Sequence, residues 1–136
     1  MHQAKIRTYS ELIALPSFDE RLKYLELWNE PHIAPDRELY YRFLKSRGWI
    51  KFRNDIITRD FGSDLAVIGK IVNDKIIVHH INPITTEDLV NGNYEKLFGE
   101  ENTVTTSLNT HNRIHYKVDE PTPIVLERQP GDTTLW

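Results

Sequence analysis

The feature that most constrains this chain is the placement of four of its six histidines in two close pairs. His79-His80 ends an apolar run over Lys75–Ile81, and Asn82-Pro83 follows, which predicts a strand that stops there. His111 and His115 have the spacing that puts two side chains on one face of a helix. The strand and the helix must pack together if the two pairs are to form one site.

The first part of the chain, residues 1–58, carries the patterns of short amphipathic helices. Ser17 followed by Glu20 is a capping-box pattern, and Ser46 is a second candidate cap. Residues 29–35 contain two prolines and predict a loop. The predicted helices cover residues 8–15, 17 to about 28, 36–45 and 46 to about 57.

The pattern changes to β-branched runs after a predicted turn at residues 59–64. Leu65–Val72 and Lys75–Ile81 are separated by Asn73-Asp74, which predicts a β-hairpin. The remaining predicted elements are a helix from Thr85 or Thr86 through Val90, extended or irregular chain at 103–106, a helix from Ser107 to about Tyr116, and a strand at 124–126.

Together these patterns predict one α+β domain over residues 1–136, with a helical part at 1–58, a core at 59–118 and a tail at 119–136. The chain has no cysteine, which excludes disulfides and thiolate chemistry and is typical of a reducing compartment. It shows neither a membrane-spanning apolar stretch nor the apolar run of a secretory signal. We therefore expect a cytoplasmic location and no membrane partner.

The charges are distributed unevenly, although the net charge is only −3. Residues 42–59 are rich in Lys and Arg, whereas residues 87–101 are rich in Asp and Glu. The basic segment could meet phosphate and the acidic segment would avoid it. Charge alone favours a plainer interpretation, in which the basic segment is a solvated helix face.

The histidine pairs suggest a catalytic type of metal site. Side chains alternate along a strand, so His79 and His80 serve one site only if the strand ends or bends there. One of them could then bind a metal while the other acts as a base beside it. His111 and His115 could both be ligands, and three imidazoles leave open positions for substrate and water. Asn102 suits an orienting role. Taken singly, these features are usually a surface pair, an exposed helical pair and a turn residue.

As a set, the motif His79-His80-Ile81-x-Pro83, Asn102, His111 and His115 resembles the HNH endonucleases, whose core is the ββα-metal or His-Me finger. Tyr41-x-x-x-x-Ser46-x-x-Trp49-x-x-x-Arg53 and Ile57-x-Arg59-Asp60 are similar to the region before the hairpin in that family. The segments 9–21, 82–85 and 109–116 resemble a small phage-encoded branch. The resemblance implies DNA as substrate and one divalent ion, which could be Mg, Mn, Zn or Ni.

The resemblance also implies a role for each residue of the motif. His80 would be the general base and His79 a metal ligand, and Asn102 would tie a loop to the active site. His111 would be the second ligand, and His115 a third ligand or a phosphate contact. The basic residues expected near DNA are Lys51, Arg53, Arg59 and Arg113.

Two features depart from the family pattern. Many members carry two cysteine pairs that bind a structural zinc, whereas this chain has Ser63 and Val67 upstream and Ser107 and Thr110 downstream. We therefore expect the core to be held by packing alone, through Trp49, Phe52 and the N-terminal helices. In addition, 22 positions separate His80 from Asn102, more than in compact members.

Three hypotheses remain open from the sequence. The first is a metal-dependent, phage-encoded endonuclease that nicks or cuts DNA. The alternative is a phage assembly or virion-associated protein that keeps the HNH fold without turnover, which the net negative charge and the acidic segment motivate. The third is a zinc-binding regulatory domain that uses the same histidines.

Overall fold

The computed structural model describes residues 6–27 and 34–116. The predicted tail strand, Trp28 and most of the predicted loop at 29–35 lie outside these residues. The described chain is α+β, as predicted, with one two-stranded sheet. Its elements are α1 (Tyr9–Ile13), α2 (Phe18–Leu25), α3 (Arg37–Leu44), α4 (Arg47–Arg59), β1 (Ile76–His80), α5 (Thr86–Asn91), α6 (Tyr94–Leu97), β2 (Thr103–Ser107) and α7 (Leu108–His115).

Side-chain caps begin most of the helices, and they account for the success of the local predictions. Each of these caps accepts a hydrogen bond from a backbone amide in the first turn, which would otherwise lack a partner. Ser17 accepts from Glu20, Ser46 accepts from Trp49 and Thr85 accepts from Asp88. The predicted starts of α2, α4 and α5 are therefore confirmed. No helix of residues 6–27 and 34–116 has the length and apolar character to cross a membrane.

The sheet pairs β1 with β2 in antiparallel register, so that His79 lies opposite Val104 and His80 opposite Thr103. The prediction that Leu65–Val72 forms a hairpin with the strand at Lys75–Ile81 is wrong. The partner of β1 comes instead from residues 103–107, which the sequence left as extended or irregular. In the described chain α5 and α6 lie between the two strands, and a connection of more than twenty residues replaces the tight turn. Of the described helices, only α7 follows a strand directly.

The segment after α4 does not form a strand because it turns back on itself. Leu65 and Ala66 adopt left-handed backbone conformations, with φ of 52° and 59°. Leu65 is fully buried, and its carbonyl oxygen accepts a hydrogen bond from the guanidinium of Arg21 at 2.9 Å. Only one isolated bridge, Ser63 to Ile71, remains of the expected β-structure in this segment. Burial of Leu65 in the core thus overrides the local β-propensity.

Two buried carboxylates occupy the edge of β2 that faces away from β1. The Thr105 amide donates to Asp60 at 2.9 Å, and the Ser107 amide donates to Asp64 at 3.2 Å. Amides of alternate residues point the same way in an antiparallel strand, so Asp60 and Asp64 serve equivalent positions. The expectation that packing alone holds this cysteine-free core is therefore incomplete. Buried hydrogen bonds to carboxylates also hold it.

The apolar core lies on both sides of β1. On one side, α1, α2 and α7 pack with the end of β1 and with β2, through Leu12, Leu22, Leu25, Leu65, Ile81, Val104 and Ile114. On the other side, α3, α4 and α6 supply an aromatic group that contains Phe43, Trp49, Phe52 and Phe98. Trp49 is 3% exposed, so the predicted anchoring role of this residue agrees with its burial. The two faces of β1 therefore have different surroundings.

The strand pairing can be tested with engineered disulfides, because the chain contains no other cysteine. Ile77 lies opposite Thr106. Facing residues of an antiparallel pair have Cα atoms about 4.5–5.5 Å apart, which suits a disulfide. We expect the Ile77→Cys/Thr106→Cys variant to form an intramolecular disulfide on mild oxidation, measured by mass spectrometry after thiol alkylation. The matched variant Ile77→Cys/Lys70→Cys tests the rejected hairpin and should stay reduced. The opposite pattern would contradict the register.

Candidate metal centre

Three histidines from two elements meet on one face of the sheet. His79 comes from β1, and His111 and His115 come from α7. One ring nitrogen of each lies within 4.8 Å of the others. The Nε2 atoms of His111 and His115 are 3.1 Å apart. Two nitrogens bound to one tetrahedral ion would be about 3.4 Å apart, given bonds of about 2.0–2.1 Å. The helical pair thus already has a spacing close to that of two ligands.

The positions of these histidines follow from the junction between β2 and α7. Ser107 ends β2 and also caps α7, so the helix begins at the sheet without a loop. His111, one helical turn after Ser107, is fully buried. His79 on β1 is 2% exposed, whereas His115, a further turn along α7, is only partly buried. The cluster is therefore closed on the core side, and His115 marks the side from which solvent or a ligand would reach it.

Burial favours the neutral form of two of the three imidazoles, those of His79 and His111. Burial lowers the pKa of His79 well below its ordinary value, and the charges of His115 and His80 lower it further. Burial and the neighbouring histidines lower the pKa of His111 in the same way. Neutral imidazole is the form that binds a metal. In the neutral form each of these two rings has one nitrogen with a lone pair.

A cation would supply the partner that the buried Nε2 atom of His79 lacks. Among residues 6–27 and 34–116, no hydrogen-bond partner contacts this atom. A buried polar atom without a partner costs about 1–3 kcal/mol, so its retention calls for an explanation such as an ion. Three imidazole nitrogens with one open side would be the donor set of a catalytic zinc-type or nickel-type site. His79, His111 and His115 are the residues that would hold the ion.

His80 lies on the opposite face of β1, as strand alternation requires. Its ring stacks on Trp49, with centroids 4.9 Å apart and an interplanar angle of 24°, and Phe43 lies at 6.1 Å. Its Nε2 atom is 3.0 Å from the carbonyl oxygen of Leu97. Because a carbonyl oxygen only accepts, Nε2 carries the proton and Nδ1 carries the lone pair. The structure thus separates His80 from the cluster of three and fixes its tautomer.

Burial also decides the charge of His80. The loss of solvent lowers its pKa to about 4, although the bond to Leu97 works in the opposite direction. His80 is therefore neutral near pH 7 and can accept a proton. A proton on His80 would lower the pKa of His79 and His111 further, so protonation on one face of the strand disfavours protonation on the other.

Asn102 joins the two ends of the long connection between the strands. Its side-chain oxygen accepts from the backbone and side-chain nitrogens of Asn82, both at 2.7 Å. Its side-chain nitrogen donates to the carbonyl oxygen of Lys96 at 2.9 Å. The backbone of Asn102 also accepts from Ile81 at 2.7 Å. Asn102 therefore holds the end of β1 beside α6, whose last residue, Leu97, contacts His80.

Asn82 is a residue whose contribution the sequence did not reveal. Its side chain bonds the backbone of Arg7 through both amide atoms, at 3.0 Å and 2.7 Å. It thereby joins the N-terminal segment to Asn102. In the sequence, Asn82-Pro83 predicts the end of the strand and belongs to the resembled segment 82–85, but neither pattern indicates these hydrogen bonds. The available signal was an amide side chain placed directly after a buried strand, where unpaired backbone groups need partners.

The basic residues expected near DNA have unequal surroundings. Arg59 is engaged inside the fold: it pairs with Asp60 at 2.8 Å, donates to two backbone carbonyls and covers the ring of Tyr9 at 3.5 Å. Arg53 donates to the carbonyl of Ile76 at 3.1 Å. In contrast, Lys51 and Arg113 are exposed, and Lys51 has only a surface pair with Asp55. A phosphate contact by Arg59 would require it to leave these partners.

Comparisons with known proteins add no relative: no family model, no curated protein and no solved structure matches the chain. The interpretation of the site therefore rests on its own geometry.

The lowered pKa values predict how the stability of the metal-free protein depends on pH. Unfolded histidines titrate near 6.5, whereas native His80 titrates near 4. Between these values the unfolded chain binds protons that the native chain does not, so stability falls as the pH is lowered through this window. We expect a loss of up to about 1.4 kcal/mol per pH unit for each such histidine, measured by urea unfolding in the presence of a chelator. The His80→Gln variant should show a shallower dependence. Equal slopes for both proteins would contradict the assignment.

Proposed function

We propose that this protein is a metal-dependent endonuclease of the HNH type that hydrolyses phosphodiester bonds in DNA. The observation that carries the proposal is the meeting of His79 with His111 and His115, while His80, the next residue of the strand, is held in a single tautomer. The order β1, long connection, β2 and α7 supports it, because the resembled core has two strands followed by a helix. Three histidines of the motif are thus close in space, in addition to having the spacing of the family in the sequence.

In this proposal the three clustered histidines hold a divalent ion and leave its remaining positions to oxygen ligands. The bound ion would stabilise negative charge on a phosphoryl oxygen and on the leaving oxygen. The burial of His79 and His111 keeps both rings neutral and in place. His115, at the partly exposed edge, is next to the entry side, which suits either a third ligand or a contact to phosphate.

His80 supplies the base. Its Nδ1 lone pair accepts a proton from the attacking water, while Nε2 keeps its bond to the carbonyl of Leu97. A pKa of about 4 makes His80 a weak base in the substrate-free protein. A phosphate anion beside the ring favours the protonated form and raises this pKa toward the working range. Trp49 holds the ring plane, and Asn102 holds the loop that carries Leu97.

The acidic connection would repel DNA, and two exposed cations on separate helices would attract it. Arg113 lies on α7, the helix that carries His111 and His115, and Lys51 lies on α4. The acids of residues 87–101 lie on α5, α6 and the turn after α6. These negative charges repel the DNA polyanion, so DNA would bind away from the long connection.

The test is a plasmid-nicking assay with Mg²⁺, Mn²⁺, Zn²⁺ and Ni²⁺ in turn, combined with metal titration of the same proteins. We expect the wild type to nick in at least one of these ions. His80→Ala should lower the cleavage rate by about 10²–10⁴-fold and leave the metal affinity unchanged. His111→Ala should lose both properties. The exposed variant Glu87→Ala should keep both properties.

Each part of this experiment has a result that would contradict part of the proposal. A wild type that binds a metal but nicks no DNA with any ion would favour the alternative, a non-catalytic protein with the same fold. Metal-dependent cleavage by His80→Ala at the wild-type rate would remove His80 as the base. Metal binding by His111→Ala at the wild-type affinity would remove the three-histidine site.

A further inference from the structure

Asp64 belongs to the segment after α4 and is a buried residue, 6% exposed. Its carboxylate contacts the residues at the start of α7. It accepts from the Ser107 amide at 3.2 Å and from the Thr110 hydroxyl at 2.5 Å. Among residues 6–27 and 34–116, no Lys or Arg forms an ion pair with it. Its negative charge is therefore stabilised by hydrogen bonds and by the N-terminal end of the helix.

Asp64, Ser107 and Thr110 are linked to one another by hydrogen bonds at the first turn of α7. Ser107 caps the helix by accepting from the Thr110 amide at 3.0 Å, and its hydroxyl donates to the Thr110 hydroxyl at 2.9 Å. Asp64 bonds both of these residues and belongs to a different segment of the chain. The segment after α4 is thus joined to the junction between β2 and α7.

The residue that follows Thr110 is His111. Its ring is fully buried and lies 5.2 Å from the ring of His79, centroid to centroid. Because α7 has only eight residues, the direction of its first turn decides where the His111 ring lies. A small rotation of this turn would move His111 away from β1.

Asp60 provides a natural comparison. It bonds the Thr105 amide at the equivalent position of β2, two residues earlier in the strand. Unlike Asp64, it is neutralised by Arg59, accepts from the Tyr9 hydroxyl at 2.8 Å, and makes no hydrogen bond to α7. The two carboxylates thus share a structural task on β2, but only Asp64 reaches the helix that carries His111.

We propose that Asp64 is a positioning residue for the metal centre. Through its bonds to Ser107 and Thr110, its carboxylate fixes the first turn of α7 so that His111 meets His79. The inference rests on the proposed metal site and adds a residue that the motif does not contain. Loss of such outer support lowers metal affinity by about 10–100-fold in metalloproteins.

The test uses Co²⁺, whose visible absorption reports the ligand geometry, and three variants of the full chain. Asp64→Asn and Thr110→Val should each weaken Co²⁺ binding by about 10–100-fold and change the intensity of the visible bands. Asp60→Asn should lower the unfolding free energy but keep the affinity and the spectrum of the wild type. All titrations are made at a temperature where circular dichroism shows each protein to be folded. Thr110→Val, the gentler change, keeps the test available if Asp64→Asn does not fold.

Three outcomes would overturn the inference, and they are distinguishable. Wild-type affinity and spectrum in folded Asp64→Asn or Thr110→Val would remove the positioning role while leaving the metal site intact. An equal loss in Asp60→Asn would show a general effect of stability. A wild type that binds no Co²⁺, Zn²⁺ or Ni²⁺ would remove the metal site itself, and the inference with it.

Discussion

The bonding of β2 on both edges is the interaction on which the rest of this structure depends. One edge pairs with β1 and the other edge donates to the carboxylates of Asp60 and Asp64. A two-stranded sheet alone is marginal in water, and this chain has no disulfide or thiolate site to support one. The two carboxylates satisfy amides that would otherwise be buried without partners. They give the cysteine-free core a fixed position for β2, and α7 starts directly from that strand.

The alternation of side chains along β1 then divides the chemistry between two faces. His79 faces α7 and meets two further histidines, whereas His80 faces α4 and stacks on Trp49. Both faces are buried, which lowers the pKa of His79 and of His80, but only the first face collects ligand atoms. In the proposed enzyme this separation keeps the base from competing for the ion. It also requires a scissile phosphate bound by the ion to come within reach of His80, on the other face of β1.

The sequence predicted what depends on local interactions. The caps at Ser46 and Ser107, the strand that ends at His80 and the helical pair of α7 are each specified by a few neighbouring residues. The partner of β1 could not be found in this way. A β-branched run beside a turn signal predicts a hairpin, whereas burial of Leu65 and the long-range pairing with β2 prevail. The contacts of Asp64 were also hidden, because a single Asp in a turn carries no sign of a bond to a helix more than forty residues away.

The central claim, that His79, His111 and His115 hold one ion, is tested most directly by X-ray absorption spectroscopy of the zinc-loaded or nickel-loaded protein. The account predicts imidazole scattering that fits three histidines, with metal–nitrogen distances of about 2.0–2.1 Å for zinc. The His80→Gln variant should give the same spectrum, because His80 belongs to the other face. A first shell of oxygen atoms with one imidazole or none would contradict the claim, as would a spectrum that changes when His80 is replaced.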